Sequence, residues 1–161
     1  MDWKPEKDTA FEYLQKAYDF QMQGKMDEAI ANYQKSIELF PTAEAHTFLG
    51  WTYSFKGKHD DAIRECKRAI QIDPEFGNPY NDIGSYLIEK GLLDDAIPWL
   101  EKAIHAKRYE NYCYPYYNLG RVYERKGDWF RALGSYESSL KANAEYTLAI
   151  RALNRIKAYL N

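Results

Sequence analysis

The chain has 161 residues, of which 45% are hydrophobic and 29% charged, and its formal net charge is −2. This composition excludes a disordered chain, and the near-neutral balance gives no sign of general nucleic-acid binding. No segment approaches the roughly 20 apolar residues that a membrane-spanning helix needs, and residues 1–8 lack the apolar centre of a signal peptide. We therefore expect a soluble, cytoplasmic protein.

The most regular feature of the chain is a glycine followed five residues later by an alanine. It occurs four times, at Gly24/Ala29, Gly57/Ala62, Gly91/Ala96 and Gly127/Ala132. The alanines are 33, 34 and 36 residues apart, so one small unit is used four times. A period of this length indicates a helical-repeat array, and the long surfaces of such arrays usually bind other proteins.

Each unit is predicted to form a helix, a tight turn and a second helix. On both sides of each glycine, small and apolar residues recur three and four positions apart, which places them on one face of a helix. The glycine suits a left-handed C-terminal cap. The acidic pairs that follow are expected to cap the second helix and to face the positive end of its dipole: Asp27-Glu28, Asp60-Asp61 and Asp94-Asp95.

The predicted segments divide residues 1–161, taken as a single domain, in chain order. They are a lead (1–9), repeat 1 (10–42), repeat 2 (43–76), repeat 3 (77–110), an insertion (111–112), repeat 4 (113–146) and a capping helix (147–161). Lys16 occupies the apolar site that holds Leu49, Ile83 and Leu119 in the later repeats. This is expected if no repeat precedes the first helix.

These recurring positions make the chain resemble the tetratricopeptide repeat family. In repeat 4 the matching residues are Tyr116, Leu119, Gly120, Tyr123, Gly127, Ala132 and Tyr136, and similar sets recur in the other repeats. The resemblance implies an all-α fold, a right-handed α-α superhelix of four helix-turn-helix repeats with a cap helix. It also implies a non-catalytic protein-interaction module that serves as an adaptor or scaffold.

In this family the inner face of the first helices lines a concave groove that binds an extended peptide. The resemblance assigns to this face Trp51, Asn78, Asn81, Asp82, Ser85, Tyr114, Tyr117, Asn118 and Arg121. Asn81 and Asn118 can each hold a peptide bond, and Arg121 can pair with a carboxylate. The alternative is that Asn78 caps its helix and that the other asparagines are merely solvated. The set of Lys, Asn and Arg residues with which some members clamp acidic chaperone tails is absent.

No catalytic, cofactor or metal site is predicted. His46, His59 and His105 fall at unrelated repeat positions and are expected to be solvated or half-buried. Cys66 and Cys113 have no CxxC spacing, which argues against a disulfide scaffold or a zinc site. We expect Cys66 in the core and Cys113 in an exposed connection. Phosphate loops, dinucleotide fingerprints and nucleophile elbows are absent from the sequence, so we do not expect an enzyme.

The charges are divided unevenly along the chain. Residues 1–106 carry 12 Lys and Arg against 19 Asp and Glu, whereas residues 107–161 carry 10 against 5. A second hypothesis is therefore self-assembly, in which the acidic part of one copy meets the basic part of another head to tail. A third is stacking of single-stranded nucleic acid on Tyr114 and Tyr117 beside Arg121 and Arg125. We do not expect nucleic-acid binding, because only the last third is basic.

Overall fold

The computed structural model describes residues 5–160. Within these residues it contains nine α-helices and no β-strand: α1 (Pro5–Met22), α2 (Met26–Leu39), α3 (Ala43–Phe55), α4 (His59–Ile72), α5 (Asn78–Glu89), α6 (Leu93–His105), α7 (Cys113–Arg125), α8 (Trp129–Ala142) and α9 (Thr147–Leu160). The predicted all-α fold is confirmed. Residues 1–4 of the predicted lead and residue 161 of the predicted capping helix lie outside the described residues.

The chain divides between Pro79 and Tyr80 into two compact units. The first unit contains α1 to α4 and the first two residues of α5. The second unit contains the rest of α5 and α6 to α9. Each unit is described by itself below.

Each turn between the two helices of a predicted repeat contains a glycine in the left-handed backbone conformation. The φ angles of Gly24, Gly57, Gly91 and Gly127 lie between 71° and 77°. After Gly24, the amide of Lys25 donates to the carbonyl of Phe20 at 2.9 Å, which closes the end of α1. A Cβ is penalised in this conformation, so glycine is the residue that the turn requires. The predicted C-terminal caps are confirmed.

The acidic pairs lie in the first turns of the second helices but do not cap them. α2 begins at Met26, α4 at His59 and α6 at Leu93, each one residue before its acidic pair, and no side chain makes a cap hydrogen bond there. The prediction that these pairs cap the helices was wrong because each helix starts too early for them. Their carboxylates still lie in the first turn, where the helix dipole favours negative charge.

Small residues in the first helices allow the second helices to approach closely. A Cβ added at Gly84 would lie 2.4 Å from Cδ2 of Leu100, and one added at Gly120 would lie 2.4 Å from Cε1 of Tyr136. Real Cβ atoms do not come so near to other atoms, so an added methyl group would force Leu100 or Tyr136 to shift. In the first unit Ala17 fills the equivalent position and is fully buried.

A polar pair is buried between α3 and α4 in the first unit. Nδ1 of His46 lies 2.6 Å from Oε2 of Glu65, and each side chain is 8% exposed. Arg68 donates to the other carboxylate oxygen at 2.6 Å. The expectation of a solvated or half-buried histidine was wrong for His46, because its partner lies 19 residues away on the facing helix. At the equivalent positions of repeat 3, Tyr80 and Trp99 pack with ring centroids 6.1 Å apart.

Both cysteines are buried, and neither forms a disulfide bond within residues 5–160. Cys66 lies in the core, as predicted. Cys113 is only 3% exposed, so the expectation of an exposed connection was wrong. It is the first residue of α7, and its carbonyl accepts a hydrogen bond from Oγ of Ser139 at 2.7 Å. The helix begins directly after the two-residue insertion and brings Cys113 against α8.

In the second unit, one carboxylate on α7 joins α8 and α9. Glu124 accepts a hydrogen bond from the hydroxyl of Tyr136 on α8 at 2.6 Å. It also accepts two from Arg155 on α9, at 3.0 Å from Nε and 2.8 Å from Nη2. Beneath them, Ile156 packs into a buried cluster with Ala132, Tyr136 and Ala152. The last helix is therefore fixed by apolar packing and by a bidentate ion pair.

We expect Glu124 to make stability depend on pH in the acid range. Burial raises the pKa of Glu124, but hydrogen bonds from Arg155 and Tyr136 outweigh burial and hold the pKa below its usual 4.5. A carboxyl group whose pKa falls on folding stabilises the fold above its unfolded pKa, and this contribution is lost as the pH falls through the folded pKa. Thermal unfolding of Glu124→Gln at pH 7 should give a loss of about 1–3 kcal/mol.

The difference between the parent protein and Glu124→Gln should shrink as the pH falls below 4.5. Glu137→Gln is the control, because Glu137 is exposed on α8 and its replacement removes the same charge. If Glu124→Gln lowers stability equally at pH 7 and pH 3, the pH dependence cannot be assigned to the ionisation of Glu124.

Candidate functional site

The predicted site residues fall in both compact units. Trp51 on α3 and Asn78, the first residue of α5, belong to the first unit. The others belong to the second unit: Asn81, Asp82, Ser85, Tyr114, Tyr117, Asn118 and Arg121. The site is therefore described as two separate groups.

The group in the first unit is aromatic. The ring of Trp51 lies 5.2 Å from that of Phe55, which is 57% exposed. Phe48 packs between Tyr18 and Tyr33, with ring centroids 5.7 Å and 6.1 Å away. Trp51 and Asn78 are half-buried. This face offers flat apolar surfaces of the kind that protein interfaces use.

A chain of hydrogen bonds links α5 and α7 in the second unit. Nδ2 of Asn118 donates to Oδ1 of Asn81 at 3.0 Å, and Nη1 of Arg121 donates to Oδ1 of Asn118 at 3.1 Å. Nη2 of Arg121 pairs with Glu89 at 2.6 Å. We refer to these four residues as the polar network. Both asparagines are buried, so each uses part of its hydrogen-bonding capacity within the protein.

Asp82 stands next to this network without a cationic partner. Among residues 5–160, no lysine, arginine or histidine lies within ion-pair distance of its carboxylate. Burial raises the pKa of Asp82 to about 7, and hydrogen bonding from Asn81 opposes only part of this shift. The side chain is nevertheless partly accessible, as is Ser85 one turn further along α5. A carboxylate in this state is poorly solvated and poorly paired.

Tyr114 and Tyr117 both pack against Tyr146 in the second unit, and we refer to these three residues as the tyrosine cluster. The ring of Tyr146 lies 5.3 Å from both Tyr114 and Tyr117, edge to face in each case. Burial raises the pKa of Tyr146 to about 12. Burial also raises the pKa of Tyr109, and the negative charge of Asp82 adds to this shift. Asp82 is therefore within electrostatic reach of Tyr109.

Sequence reasoning did not assign Tyr109 and Tyr146 to the site. Tyr109 lies just before the predicted insertion, and Tyr146 precedes α9, the predicted capping helix. Their proximity arises from packing at the ends of helices, for which the repeat period gives no signal. Tyr114 is the most accessible site tyrosine, at 39% exposure.

The described part of the chain bears on two other kinds of functional feature, a metal site and a membrane-spanning helix. Within it, no three or more His, Cys, Asp and Glu side chains are grouped so that they could bind a metal ion. Its helices include none with the length and apolar character to cross a membrane. Arg125, named above in the nucleic-acid hypothesis, donates to the carbonyl of Ile88 at 2.8 Å.

Comparison with known proteins identifies the family. Models of the tetratricopeptide repeat match residues 9–75, 78–109 and 116–151. The chain belongs to the tetratricopeptide repeat family. Its repeats form protein–protein interaction modules that typically carry no catalysis. A relative from Mycosarcoma maydis, small glutamine-rich tetratricopeptide repeat-containing protein 2, is 35% identical over 77 residues. The match covers 47% of this chain and 22% of that relative.

Solved structures confirm the fold. The pilF protein of Pseudomonas aeruginosa matches with a TM-score of 0.87 and 21% identity, over 95% of this chain and 69% of its own. YrrB, a tetratricopeptide repeat protein with an unusual peptide-binding site, matches with a TM-score of 0.69 and 22% identity. That match covers 93% of this chain and 77% of YrrB. The helical-repeat fold expected for this tetratricopeptide repeat protein is therefore present.

Proposed function

We propose that this tetratricopeptide repeat protein is a non-catalytic adaptor that binds an extended segment of a partner protein. The observation that carries the proposal is that α7 contributes Asn118 and Arg121 to the polar network and Tyr114 and Tyr117 to the tyrosine cluster. The partly accessible residues of the second unit include Asp82, Ser85 and Tyr114. This combination of fixed polar groups and flat rings is what an extended peptide requires.

The polar network is held in place before any ligand arrives. Because Arg121 fixes Asn118 and Asn118 fixes Asn81, little side-chain freedom remains to be lost on binding. A primary amide has two donors, so one N–H of Asn118 remains for a peptide carbonyl. In the first unit we propose Trp51 and Asn78 as further contacts. A peptide-binding site in YrrB, which has a similar fold, agrees with this proposal.

Self-assembly driven by the acidic residues 1–106 and the basic residues 107–161 is less well supported than peptide binding. Several of the charges that would drive it are paired within a unit. Lys56 pairs with Asp27 in the first unit, and Lys126 pairs with Asp94 in the second. Such pairs reduce the charge available to another copy. The same consideration disfavours nucleic-acid binding by Arg121, which is paired with Glu89.

Replacement of Arg121 tests the proposed site. Arg121→Glu places a second carboxylate beside Glu89 and removes the donor that orients Asn118, so we expect it to disrupt the polar network. The probe is a pool of fluorescently labelled, randomised octapeptides, with binding followed by anisotropy. We expect Arg121→Glu to weaken binding by about 10-fold or more, which corresponds to about 1.4 kcal/mol.

Lys141→Glu is the matched control, because it makes the same change of charge at an exposed position on α8. Amide chemical shifts measured during the titration should change on α5, α7 and around Tyr146. Equal weakening in both variants would indicate a general charge effect. Binding that leaves these helices unperturbed would contradict the proposed site.

A further inference from the structure

We propose that a cavity in the first unit binds the phenol ring of a tyrosine side chain from a partner protein, with the phenol hydroxyl bonded to His46. The cavity lies among α2, α3 and α4. None of its lining residues belongs to the peptide site proposed above, so this inference goes beyond the proposed function and does not depend on it.

The size of the cavity suits one aromatic ring. Its volume is about 210 Å³. A cavity of about 150 Å³ is sufficient for benzene, whereas pockets for drug-sized ligands have about 300–1,000 Å³. The buried lining residues are His46, Leu49 and Glu65, and the exposed ones lie on α2 and α4, so the cavity opens to solvent between these two helices.

One nitrogen of His46 is available to a ligand in this cavity. Nδ1 of His46 lies 2.6 Å from Oε2 of Glu65, and because a carboxylate oxygen accepts hydrogen bonds, Nδ1 is the donor. Nε2 has no hydrogen-bond partner among residues 5–160 and is not fully enclosed by protein. In a neutral imidazole whose proton is on Nδ1, Nε2 is an acceptor. The cavity therefore presents an acceptor on a ring that Glu65 holds in place.

The other repeats carry a tyrosine ring at this place. The position of His46 holds Tyr13 in repeat 1, Tyr80 in repeat 3 and Tyr116 in repeat 4. In the second unit, Tyr80 packs against Trp99 with ring centroids 6.1 Å apart. An imidazole is smaller than a phenol ring, so repeat 2 lacks volume that its counterparts fill. A tyrosine from a partner restores a ring that the helix-turn-helix unit otherwise supplies itself.

The charges around the cavity favour a neutral ligand. Nη1 of Arg68 donates to Oε1 of Glu65 at 2.6 Å, so both oxygens of this carboxylate are bonded. An anionic ligand would meet Glu38 and Glu65, and a cationic ligand would meet the guanidinium of Arg68. Ile37 and Leu49 offer apolar contacts to a ring. The lining therefore matches a neutral aromatic ring that carries a hydrogen-bond donor.

Polar groups at the opening favour a tyrosine side chain over a free phenol. Gln34 and Arg68 are both exposed and both line the cavity. Among residues 5–160, Oε1 of Gln34 and the Nε and Nη2 atoms of Arg68 have no hydrogen-bond partner. These groups can bond the amide and carbonyl groups of the backbone that carries the tyrosine. A free phenol has no backbone and leaves them unused.

The experiment uses two pairs of probes that differ only in a phenol hydroxyl group. They are p-cresol with toluene, and the peptide acetyl-Gly-Gly-Tyr-Gly-Gly-amide with its phenylalanine counterpart. Binding to the full chain at pH 8 is followed by amide chemical shifts. We expect the two phenols to perturb α2, α3 and α4 and to bind about 3-fold or more tightly than their partners, as one net hydrogen bond allows.

The nitrogen resonances of His46 give a second readout that a merely structural histidine would not produce. In protein that contains isotope-labelled histidine, Nε2 of His46 should appear as an unprotonated nitrogen at pH 8. Its resonance should shift when p-cresol binds and stay in place with toluene. His59 and His105, which do not line the cavity, serve as internal references. A protonated Nε2, or one that does not respond to p-cresol, would show that the proposed hydrogen bond is absent.

Two substitutions of His46 separate the acceptor from the space. His46→Asn retains an amide donor toward Glu65 but removes Nε2, so it should abolish the preference for the phenols. His46→Tyr should fill the cavity with its own ring, as in the other repeats, and should prevent binding of all four probes. His105→Asn makes the same change at an exposed position on α6 and should leave binding unchanged. Circular dichroism and thermal unfolding check that each variant is folded.

The measurements on the intact protein decide the inference even if a variant fails to fold. If toluene binds as tightly as p-cresol, or if His46→Asn keeps the preference, His46 does not recognise the hydroxyl and the inference is wrong. If p-cresol binds and the tyrosine peptide does not, the assignment to a partner protein is overturned. If no probe perturbs α2, α3 and α4, the cavity is not a binding site. The proposed function of the second unit stands in each case.

Discussion

Gly120→Ala should lower the free energy of unfolding by about 1–3 kcal/mol or more, even though it adds a single methyl group. The new Cβ would lie 2.4–2.8 Å from three atoms of the Tyr136 ring. That ring is fully buried, and its hydroxyl is tied to Glu124 at 2.6 Å. Because the ring is buried and its hydroxyl is bonded, we expect the added methyl group to push α7 and α8 apart. At about 2–4 °C per kcal/mol for a chain of this size, the melting temperature should fall by several degrees.

Gly134→Ala provides a control of opposite sign. Gly134 lies on the exposed side of α8, and a Cβ there has no atom within 4 Å. Alanine in a helix interior is more favourable than glycine by about 0.5–1 kcal/mol, so this variant should be slightly more stable than the parent. Urea unfolding of both variants gives the comparison. Equal effects at the two positions would contradict the close packing of α7 on α8.

Ile156→Ala should cost about 2–5 kcal/mol, because it leaves a cavity in the core of the second unit. Ile156 is 1% exposed and packs against Ala132, Tyr136 and Ala152. Two of its neighbours are alanines, which cannot extend to fill the space. The loss should appear in chemical unfolding followed by circular dichroism.

The matched control is Leu160→Ala on the same helix. Leu160 is 44% exposed, so its truncation should cost less than about 1 kcal/mol. If Ile156→Ala and Leu160→Ala have similar effects, α9 does not depend on its apolar face for attachment. A large loss confined to Ile156→Ala would confirm that the face bearing Ala152 and Ile156 holds the helix in place.

The repeated features of the fold could be predicted from the sequence because each depends on local chemistry. A left-handed turn requires glycine wherever it occurs, so Gly24 and Gly127 identify their turns without tertiary information. The small residue that faces the second helix recurs at a fixed distance before this glycine, as at Gly84 and Gly120. The position of each helix pair follows from these two requirements.

The features that were missed depend on partners from other parts of the chain. His46 gave no signal of burial because Glu65 is 19 residues away. Asn81 and Asn118 were each expected to offer a free amide, yet they are bonded to each other across 37 residues. The spacing of that pair is close to the repeat period, so equivalent helix positions in successive repeats could have been compared for complementary side chains. The expected caps failed for a different reason, since helix starts cannot be placed within one residue from sequence.

The ionisation state of Asp82 could not be predicted from the sequence. The family resemblance assigned Asp82 to the predicted groove, but its raised pKa depends on burial and on the absence of a cation. Neither quantity can be read from residue types alone. Arg121 illustrates the converse, because a residue assigned to anion binding proved to be paired with Glu89.

His46 and Glu65 occupy the positions that hold Tyr80 and Trp99 one repeat later. The same two positions hold Tyr13 and Asn32 in repeat 1 and Tyr116 and Ser135 in repeat 4, so four different pairs fill one place in the helix-turn-helix unit. The repeat therefore constrains its turn glycine and its small packing residues much more than this pair, and each pair has only to satisfy its own polar atoms.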